Sequence, residues 1–398
     1  MRDFFLKKAI AALILTFFIF VFSFLNFRQT DVALKEIVLQ NSVYSVSDIH
    51  SLIRDVEAQM NANILGRFHF VEAFGYLHLL MNKNEISNFQ IIKDREGYLH
   101  FASFSNQQKE VGHLAERVNA FKAAIQNKDA KFLYLLTPDR YIVGQTKFDR
   151  GLPVHFENET ADELLRLLDM REIENIDLRA SILEKNMFYT DIFFQTSPYW
   201  TIEGSFWAFT ELVDILNQRY NMNIDEQGIF TDIDNYNVIT YPNSYVGILG
   251  SQIGKYYSGV DNFSIIFPKF LTDFDFSTKL NSSGEEKFSG SFEDVLISSY
   301  NLRSSSDPYN PYTDKYFSYL FESEGISHIK NNKNTDGMKL VVIKDSMLTP
   351  VVSFLSTVSS EIYFVDLQNF DDDILEFIND LDDLDFVILS SCTQNIAF

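Results

Sequence analysis

A serine that could act as a nucleophile follows an apolar segment near the C-terminus. Residues 340–343 predict a buried strand, and Lys344, Asp345 and Ser346 follow it directly before a predicted helix. Ligands bind at the carboxyl edge of open α/β sheets, and helix-start N–H groups there can stabilise an oxyanion. Ser346 is therefore a candidate nucleophile, although an Asp-Ser pair before a helix is more often an N-cap.

A serine hydroxyl is a poor nucleophile unless a base takes its proton in the transition state. The chain offers seven histidines, at His50, His69, His78, His100, His113, His155 and His328. None of them lies in a sequence motif. Each is therefore expected to be an ordinary surface or capping residue. The sequence around the histidines does not identify a base for Ser346.

Composition excludes several other kinds of chemistry. The 398 residues include 33 Lys and Arg against 55 Asp and Glu, a net charge of −22, which argues against binding nucleic acid. The single cysteine, Cys392, excludes a disulfide within the chain and any multi-cysteine zinc or iron–sulfur site. The acids after Lys344 predict a solvated acidic face, and their spacing is not that of a calcium-binding EF-hand loop. No metal or cofactor is expected.

Aromatic residues are unusually frequent, with 39 Phe and 15% aromatics in all. Aromatic faces stack on sugar rings, so a groove lined by aromatic side chains could hold a polysaccharide. Phe193, Phe194, Tyr199, Trp200 and Trp207 are the candidates. Packing in the core is the alternative, and it is expected of most of them.

The N-terminus predicts a membrane anchor. Arg2, Lys7 and Lys8 precede an apolar run over 9–27, which as a helix spans roughly 28 Å, about one hydrocarbon core. No small-residue cleavage site follows, so residues 1–28 predict an uncleaved single-pass anchor in the cell membrane. The basic flank places residues after about 30 outside the cytoplasm. A buried helix of a soluble protein is the alternative.

The rest of the chain predicts an α/β fold. Residues 29–88 are expected to form a helical stalk and lead-in, and 89–398 one domain with an irregular insertion over about 221–335. Predicted strands at 340–343, 362–365 and 386–389 alternate with helices, and a further buried strand covers 131–136. This order is typical of adjacent parallel strands with right-handed crossovers, a parallel sheet flanked by helices.

Several segments resemble one known family. Residues 343–346 are similar to the Gly-Asp-Ser nucleophile block of SGNH hydrolases. More specifically, the chain resembles the alginate O-acetyltransferase-like proteins (AlgX/AlgJ-like), also called the DHHW family. The matching blocks occur in the same order and cover roughly 90–398; they are 94–99, 134–141, 245–251 with 254–257, 361–366 and 385–389. The resemblance implies an SGNH-like fold with Ser346 at the nucleophile position.

The block that carries the family's base is altered. The family sequence is Tyr-Tyr-Lys-Thr-Asp-(His)-His-Trp-Thr-x-x-Gly, and residues 193–204 are Phe-Phe-Gln-Thr-Ser-Pro-Tyr-Trp-Thr-Ile-Glu-Gly. The catalytic Asp therefore falls on Ser197 and the catalytic His on Tyr199, which is a poor base at neutral pH. Trp200 matches the family Trp and, with Asp345, is a candidate substrate-binding residue. Asp191, His155 and His328 are the remaining candidates for a replacement base.

The resemblance implies O-acetylation of an exopolysaccharide or cell-wall glycan outside the membrane, with a membrane-bound O-acyltransferase as a partner that passes the acetyl group outward. Because the base and its orienting residue are not kept, the sequence favours a catalytically impaired glycan-binding or assembly subunit. Two alternatives stay open. One is an active O-acetyltransferase or acetylesterase with a replaced base, and the other is a structural surface protein.

Overall fold

The computed structural model describes most of the chain: residues 2–40, 56, 64–86, 90–104, 107–127, 130–152, 156–279, 284–298, 310–322, 324–366 and 374–393. These residues group into two compact units, Met1–Phe74 and Gly75–Phe398. The domain boundaries expected from the sequence, at 28/29 and 88/89, stay predictions.

The first unit contains a long N-terminal helix, α1 (Arg2–Gln40). Its segment Phe4–Arg28 has 25 residues and contains an 18-residue window with a mean hydropathy of 2.5, so it is by length and composition able to cross a membrane. The expected N-terminal apolar helix is therefore present as a candidate membrane span. A further described helix, α2 (Arg67–Leu80), contains the boundary between the two units.

The second unit alternates helices and strands. Its helices are α3 (Gly112–Ala124), α4 (Glu157–Asp169), α5 (Leu178–Glu184), α6 (Tyr189–Ile192), α7 (Ile202–Tyr220), α8 (Gly250–Ile253), α9 (Lys255–Ser258), α10 (Phe292–Val295), α11 (Thr349–Leu355) and α12 (Ile374–Asn379). Its strands are β1 (Glu85–Ile86), β2 (Ile91–Lys93), β3 (Leu99–Phe101), β4 (Lys131–Thr137), β5 (Asn175–Asp177), β6 (Tyr236–Tyr245), β7 (Asp261–Pro268), β8 (Phe274–Lys279), β9 (Glu285–Gly290), β10 (Glu324–Asn331), β11 (Met338–Lys344), β12 (Ser359–Asp366) and β13 (Phe386–Cys392).

The described strands form one large sheet of order β5-β4-β13-β11-β12-β10-β8-β9. The five strands from β5 to β12 are parallel, and β11 lies between β13 and β12, with Val341 opposite Val387 and Tyr363. This confirms the α/β fold with a parallel sheet. The predicted strand segments 131–136, 340–343, 362–365 and 386–389 all lie within it.

Helices cover both faces of the sheet, which explains why β11 is apolar without alternation. Leu340 and Val342 pack into a core with α7 and α11, whereas Val341 and Ile343 pack on the opposite face with α3, α4 and α12. All four side chains are at most 1% exposed. The carboxyl end of β11 is therefore held from both sides, and with it the residues that follow.

The middle of the chain is more regular than its sequence indicates. Strands β8, β9 and β10 extend the sheet by antiparallel pairing, and β6 and β7 form a separate two-stranded sheet. The aromatic segment 263–267 lies within β7. The expected irregular insertion is thus partly an extension of the main sheet, because β10 pairs with β12, β8 pairs with β10, and β9 pairs with β8.

A buried carboxyl pair lies just beyond β4. Burial first, and then the neighbouring carboxyl of Glu157, raise the pKa of Asp139 well above its usual range, although the Tyr141 N–H donates to Asp139 Oδ1 at 2.8 Å and opposes the rise. A carboxyl whose pKa is raised by folding binds its proton more tightly in the folded chain. The stability that this carboxyl contributes is therefore fully present below about pH 4, the pKa of the group in the unfolded chain. This stability is lost as the pH rises through the higher pKa of the group in the folded chain.

We expect Asp139→Asn to recover that loss. The amide oxygen can still accept the Tyr141 N–H, and the variant carries no carboxyl to ionise beside Glu157. The thermal unfolding midpoint of the variant should exceed that of the wild type at neutral pH, and the difference should shrink at pH 4. An equal difference at both pH values would contradict this prediction.

Candidate functional site

Ser346 lies where the sequence placed it, directly after β11 in the 3₁₀ turn Ser346–Leu348. Asp345 caps this turn, because its Oδ1 accepts the Met347 N–H at 3.0 Å. Burial raises the pKa of Asp345, and this hydrogen bond acts against the rise. The Met347 N–H is consequently engaged by a carboxyl group rather than free to stabilise an oxyanion, so Asp345 has the structural role of an N-cap.

The altered base block forms a tight turn that presents Tyr199. Phe193 and Trp200 face each other in an isolated antiparallel bridge, and the Thr201 side chain caps α7. The phenol of Tyr199 lies beside the side chain of Ser346, close enough for the serine hydroxyl to affect the pKa of the phenol. The structure therefore brings together the residues at the nucleophile position and at the family's histidine position.

The phenol of Tyr199 is neutral at physiological pH. Burial first, and next the negative charge of Asp314, raise the pKa of Tyr199 to about 12, while the neighbouring Ser346 hydroxyl acts in the opposite direction. With this pKa, about one molecule in 10⁵ carries a phenolate at pH 7. Tyr199 can donate a hydrogen bond in this site, but it is almost never available as a base.

Aromatic stacking holds the Tyr199 ring in place. The ring lies parallel to that of Tyr316, with 4.3 Å between centroids, and Phe317 contacts it edge-on. The Tyr316 hydroxyl in turn donates to the Met347 carbonyl at 2.8 Å. The tyrosine pair is thus tied to the same turn that carries the serine.

Ser197, at the family's aspartate position, is fully buried. Its Oγ accepts the Tyr199 N–H at 3.4 Å and lies beside the phenol of Tyr245. A Cβ atom at Gly247 would lie 2.2 Å from Ser197 Cβ, so this close approach requires glycine. The neighbours of Ser197 fix the turn, and Ser197 itself supplies no carboxylate to orient a base.

The structure reveals a carboxylate that the sequence did not single out. Asp314 Oδ1 accepts the Tyr316 N–H at 3.2 Å and the Tyr245 hydroxyl at 3.5 Å. Although the residue as a whole is exposed, partial burial of its carboxyl group raises the pKa of Asp314. Asp314 lies in the irregular stretch 221–335, where no motif or periodicity distinguished it from a surface acid.

Asp314→Asn should lower the pKa of Tyr199. Removing a negative charge near the phenol stabilises the phenolate, and we expect a fall of about half a unit to one unit, because burial remains. The pKa can be followed by NMR titration of ring-labelled tyrosine, with the Tyr199 resonance assigned by Tyr199→Phe. Asp191→Asn, at an exposed carboxylate on α6, is the matched control and should leave the titration unchanged. A Tyr199 pKa unaffected by Asp314→Asn would contradict the proximity of the two groups.

A buried lysine takes the place of the family's glycine before Asp345. Lys344 Nζ donates to Thr349 Oγ1 at 3.2 Å and lies 5.7 Å from the Phe364 ring centroid. Burial lowers the pKa of Lys344, and Asp366 opposes this change. The sequence does not show that this amine is buried beside the candidate site.

Three of the five aromatic candidates for a sugar-binding groove pack in the core, as was expected of most of them. Trp200 is 0% exposed, Phe193 1% and Phe194 2%, and all three pack in the core. The ring of Trp200 is covered by the protein itself, and substrate contact at Trp200 stays a prediction. Tyr199 and Phe317 are partly exposed and remain aromatic surfaces that a sugar could reach.

The structure does not place the other candidate bases at Ser346. His328 stacks on Tyr363 at 4.2 Å, and its Nε2 lies 3.3 Å from Glu361. Tyr363 precedes the end of β12 by three residues, about 10 Å along the strand. Asp191 is exposed on α6, and His155 lies outside the described residues. In the part of the chain that the structure describes, no group of three or more His, Cys, Asp or Glu could hold a metal ion.

No family model and no curated protein matches the chain by sequence. Its fold does match solved structures. Bacillus cereus PatB1, solved with a sulfonyl adduct, matches over 79% of this chain and 97% of its own, with a TM-score of 0.62 and 15% identity. A DHHW family protein from Eubacterium siraeum matches over 77% of this chain and 95% of its own, with a TM-score of 0.55 and 17% identity.

The O-acetyltransferase domain of Pseudomonas putida AlgJ also matches, over 77% of this chain and 92% of its own, with a TM-score of 0.41 and 11% identity. The first two matches confirm at the level of fold the resemblance that the sequence blocks indicated. This chain shares the SGNH-like α/β fold of a DHHW family protein and of PatB1.

Proposed function

We propose that this protein is a catalytically impaired subunit of a cell-surface polysaccharide O-acetylation system, with a glycan-binding or assembly role. One observation carries the proposal. The position of the family's histidine is filled by Tyr199, whose phenol contacts Ser346 and has a pKa of about 12. A serine without a base loses many orders of magnitude of activity in a triad enzyme.

The shared fold and the order of the sequence blocks support the link to polysaccharide O-acetylation. The apolar helix Phe4–Arg28 would anchor the chain in the cell membrane as a single pass, with the α/β domain outside the cytoplasm. A membrane-bound O-acyltransferase is the proposed partner, since it would supply acetyl groups on that side. Tyr199, Phe317 and the polar edge around Asp345 are the proposed glycan contacts.

An active O-acetyltransferase or acetylesterase with a replaced base is the second candidate, and Lys344 is the observation that favours it. Burial lowers the pKa of this amine, so it can lose its proton more easily than a surface lysine. Its described hydrogen bond, however, is to Thr349 rather than to Ser346. A structural surface protein remains the third possibility, which a glycan-binding measurement would separate from the first.

Ser346→Ala tests the proposal. Because a nucleophile and its base act as a unit, removing the serine from a site without a base should change acetyl-ester hydrolysis by no more than about twofold. The measurement is the rate of p-nitrophenyl acetate hydrolysis by the purified full chain, with free imidazole-catalysed hydrolysis as an assay control. A drop of about a hundredfold would show an active enzyme, and Lys344→Met would then show whether the amine is its base.

A further inference from the structure

The last turn of α2 and the residue after it expose a continuous apolar surface. Tyr76 is 48% exposed, Leu77 57%, Leu79 46%, Leu80 64% and Met81 55%. We call these five residues the 76–81 patch. Five exposed large apolar side chains among six consecutive residues are unusual for a surface helix, which normally turns such residues inward.

The helix packs against the domain at Gly75. Gly75 lies so close to α8 that a Cβ atom there would be 1.9 Å from the Ile253 carbonyl oxygen. Tyr76 contacts Tyr256 edge-on at 6.1 Å, and Tyr256 is itself 56% exposed. The helix therefore contacts α8 through Gly75, while the larger apolar side chains of the 76–81 patch are largely exposed.

The charges around the patch are those that suit a lipid headgroup layer. In a chain of net charge −22, no acidic residue occurs between Glu72 and Glu85. Lys83, whose side chain is 41% exposed and 3.2 Å from Glu85, follows the patch, and Lys255 lies 5.6 Å from the Tyr256 ring centroid. Apolar side chains flanked by Tyr and Lys are typical of segments that lie in a membrane interface.

We propose that the 76–81 patch binds the surface of the lipid bilayer. The candidate span Phe4–Arg28 belongs to the same chain, and residues 29–74 separate its end from Gly75. A tether of this length keeps the membrane at a high effective concentration for any weak apolar surface beyond it. The apolar side chains would enter the boundary between headgroups and acyl chains, and the lysines would contact anionic headgroups. The proposal rests on membrane anchoring and not on the catalytic state of Ser346.

A fluorescent probe at the patch tests this directly. Cys392 is the single cysteine and is buried, so Met81→Cys provides an accessible thiol for an environment-sensitive dye. The labelled full chain is reconstituted in vesicles of phosphatidylglycerol and phosphatidylethanolamine that carry doxyl-labelled lipid. We expect quenching at residue 81 to exceed, by about twofold or more, quenching at Leu271→Cys. Leu271 is 89% exposed and precedes β8 at the amino edge of the sheet.

Leu77→Glu combined with Leu80→Glu should reduce quenching at residue 81 to the level at residue 271, while the chain still co-sediments with the vesicles. Both positions are more than half exposed, so these substitutions should not unfold the domain. Equal quenching at residues 81 and 271 in the otherwise unaltered chain would overturn the proposal. So would a probe at residue 81 that is shielded from water but not quenched by lipid, because a protein would then cover the patch.

Discussion

Restoring the family's base block, as Ser197→Asp with Pro198→His and Tyr199→His, is expected to raise acetyl-ester hydrolysis by about 10²-fold or more. A positioned general base typically contributes 10²-fold to 10⁴-fold. The tyrosine at position 199 already reaches Ser346, so a histidine there would point at the same hydroxyl. The rate of p-nitrophenyl acetate hydrolysis by the variant and by the wild type measures the gain.

The geometry favours this result but also defines how it could fail. An imidazole is shorter than a phenol, so a water molecule could have to bridge it to the Ser346 hydroxyl, which general-base catalysis tolerates. The Asp at position 197 would keep the Cβ that packs against Gly247, and its carboxylate would need the space now used by the hydroxyl contacts of Ser197 with Tyr245. Including Pro198→His removes the proline that could keep the turn in its present shape.

The same substitutions combined with Ser346→Ala are the matched control. If the restored block acts through the serine, the control loses the whole gain and returns to the rate of the wild type. A gain that persists without Ser346 would mean that the new histidine hydrolyses the ester by itself. A correctly folded variant without any gain would show that the region around Ser346 cannot stabilise the oxyanion, as the engagement of the Met347 N–H by Asp345 suggests.

The parallel half of the fold could be predicted because its residues follow simple rules. Residues 340–343 are uniformly apolar since helices cover both faces of β11, and the three C-terminal strands alternate with helices in the order that right-handed crossovers require. Ser346 and Tyr199 lie in two of the blocks that resemble the family, and the structure places the two side chains beside each other. The strands are local patterns in the sequence, whereas the two site residues belong to matching family blocks that lie far apart in the chain.

The features that sequence inspection missed depend on long-range packing. Strands β8 and β9 carry mixed polar and apolar residues, and only their pairing beside β10 makes them part of the sheet. Asp314 looks like any surface acid until Tyr245 and Tyr316 surround it. Trp200 is a candidate substrate-binding residue because it matches the family Trp, yet its ring packs in the core. Neighbours in sequence did not predict neighbours in space.

Phe354→Ala is expected to cost about 3 to 5 kcal/mol of unfolding free energy, since the fully buried ring lies at the centre of an aromatic cluster on one face of the sheet. Its closest ring neighbour is Phe206 on α7, at 5.2 Å between centroids. The other rings within about 6 Å belong to Phe209, Tyr236, Phe292 and Tyr319. Removing the ring would leave a cavity between α7, α10 and α11 that rigid aromatic neighbours cannot fill. Urea denaturation followed by circular dichroism measures the loss.

Phe188→Ala is the matched control, because Phe188 has the same side chain but is 61% exposed. Its replacement should change the unfolding free energy by less than about 0.5 kcal/mol. Two similar losses would mean that the cluster around Phe354 is loosely packed and that its aromatic rings serve another purpose. A large loss confined to Phe354→Ala would instead place the exceptional phenylalanine content mainly in the core, and would leave Tyr199 and Phe317 as the aromatic residues that bear on glycan binding.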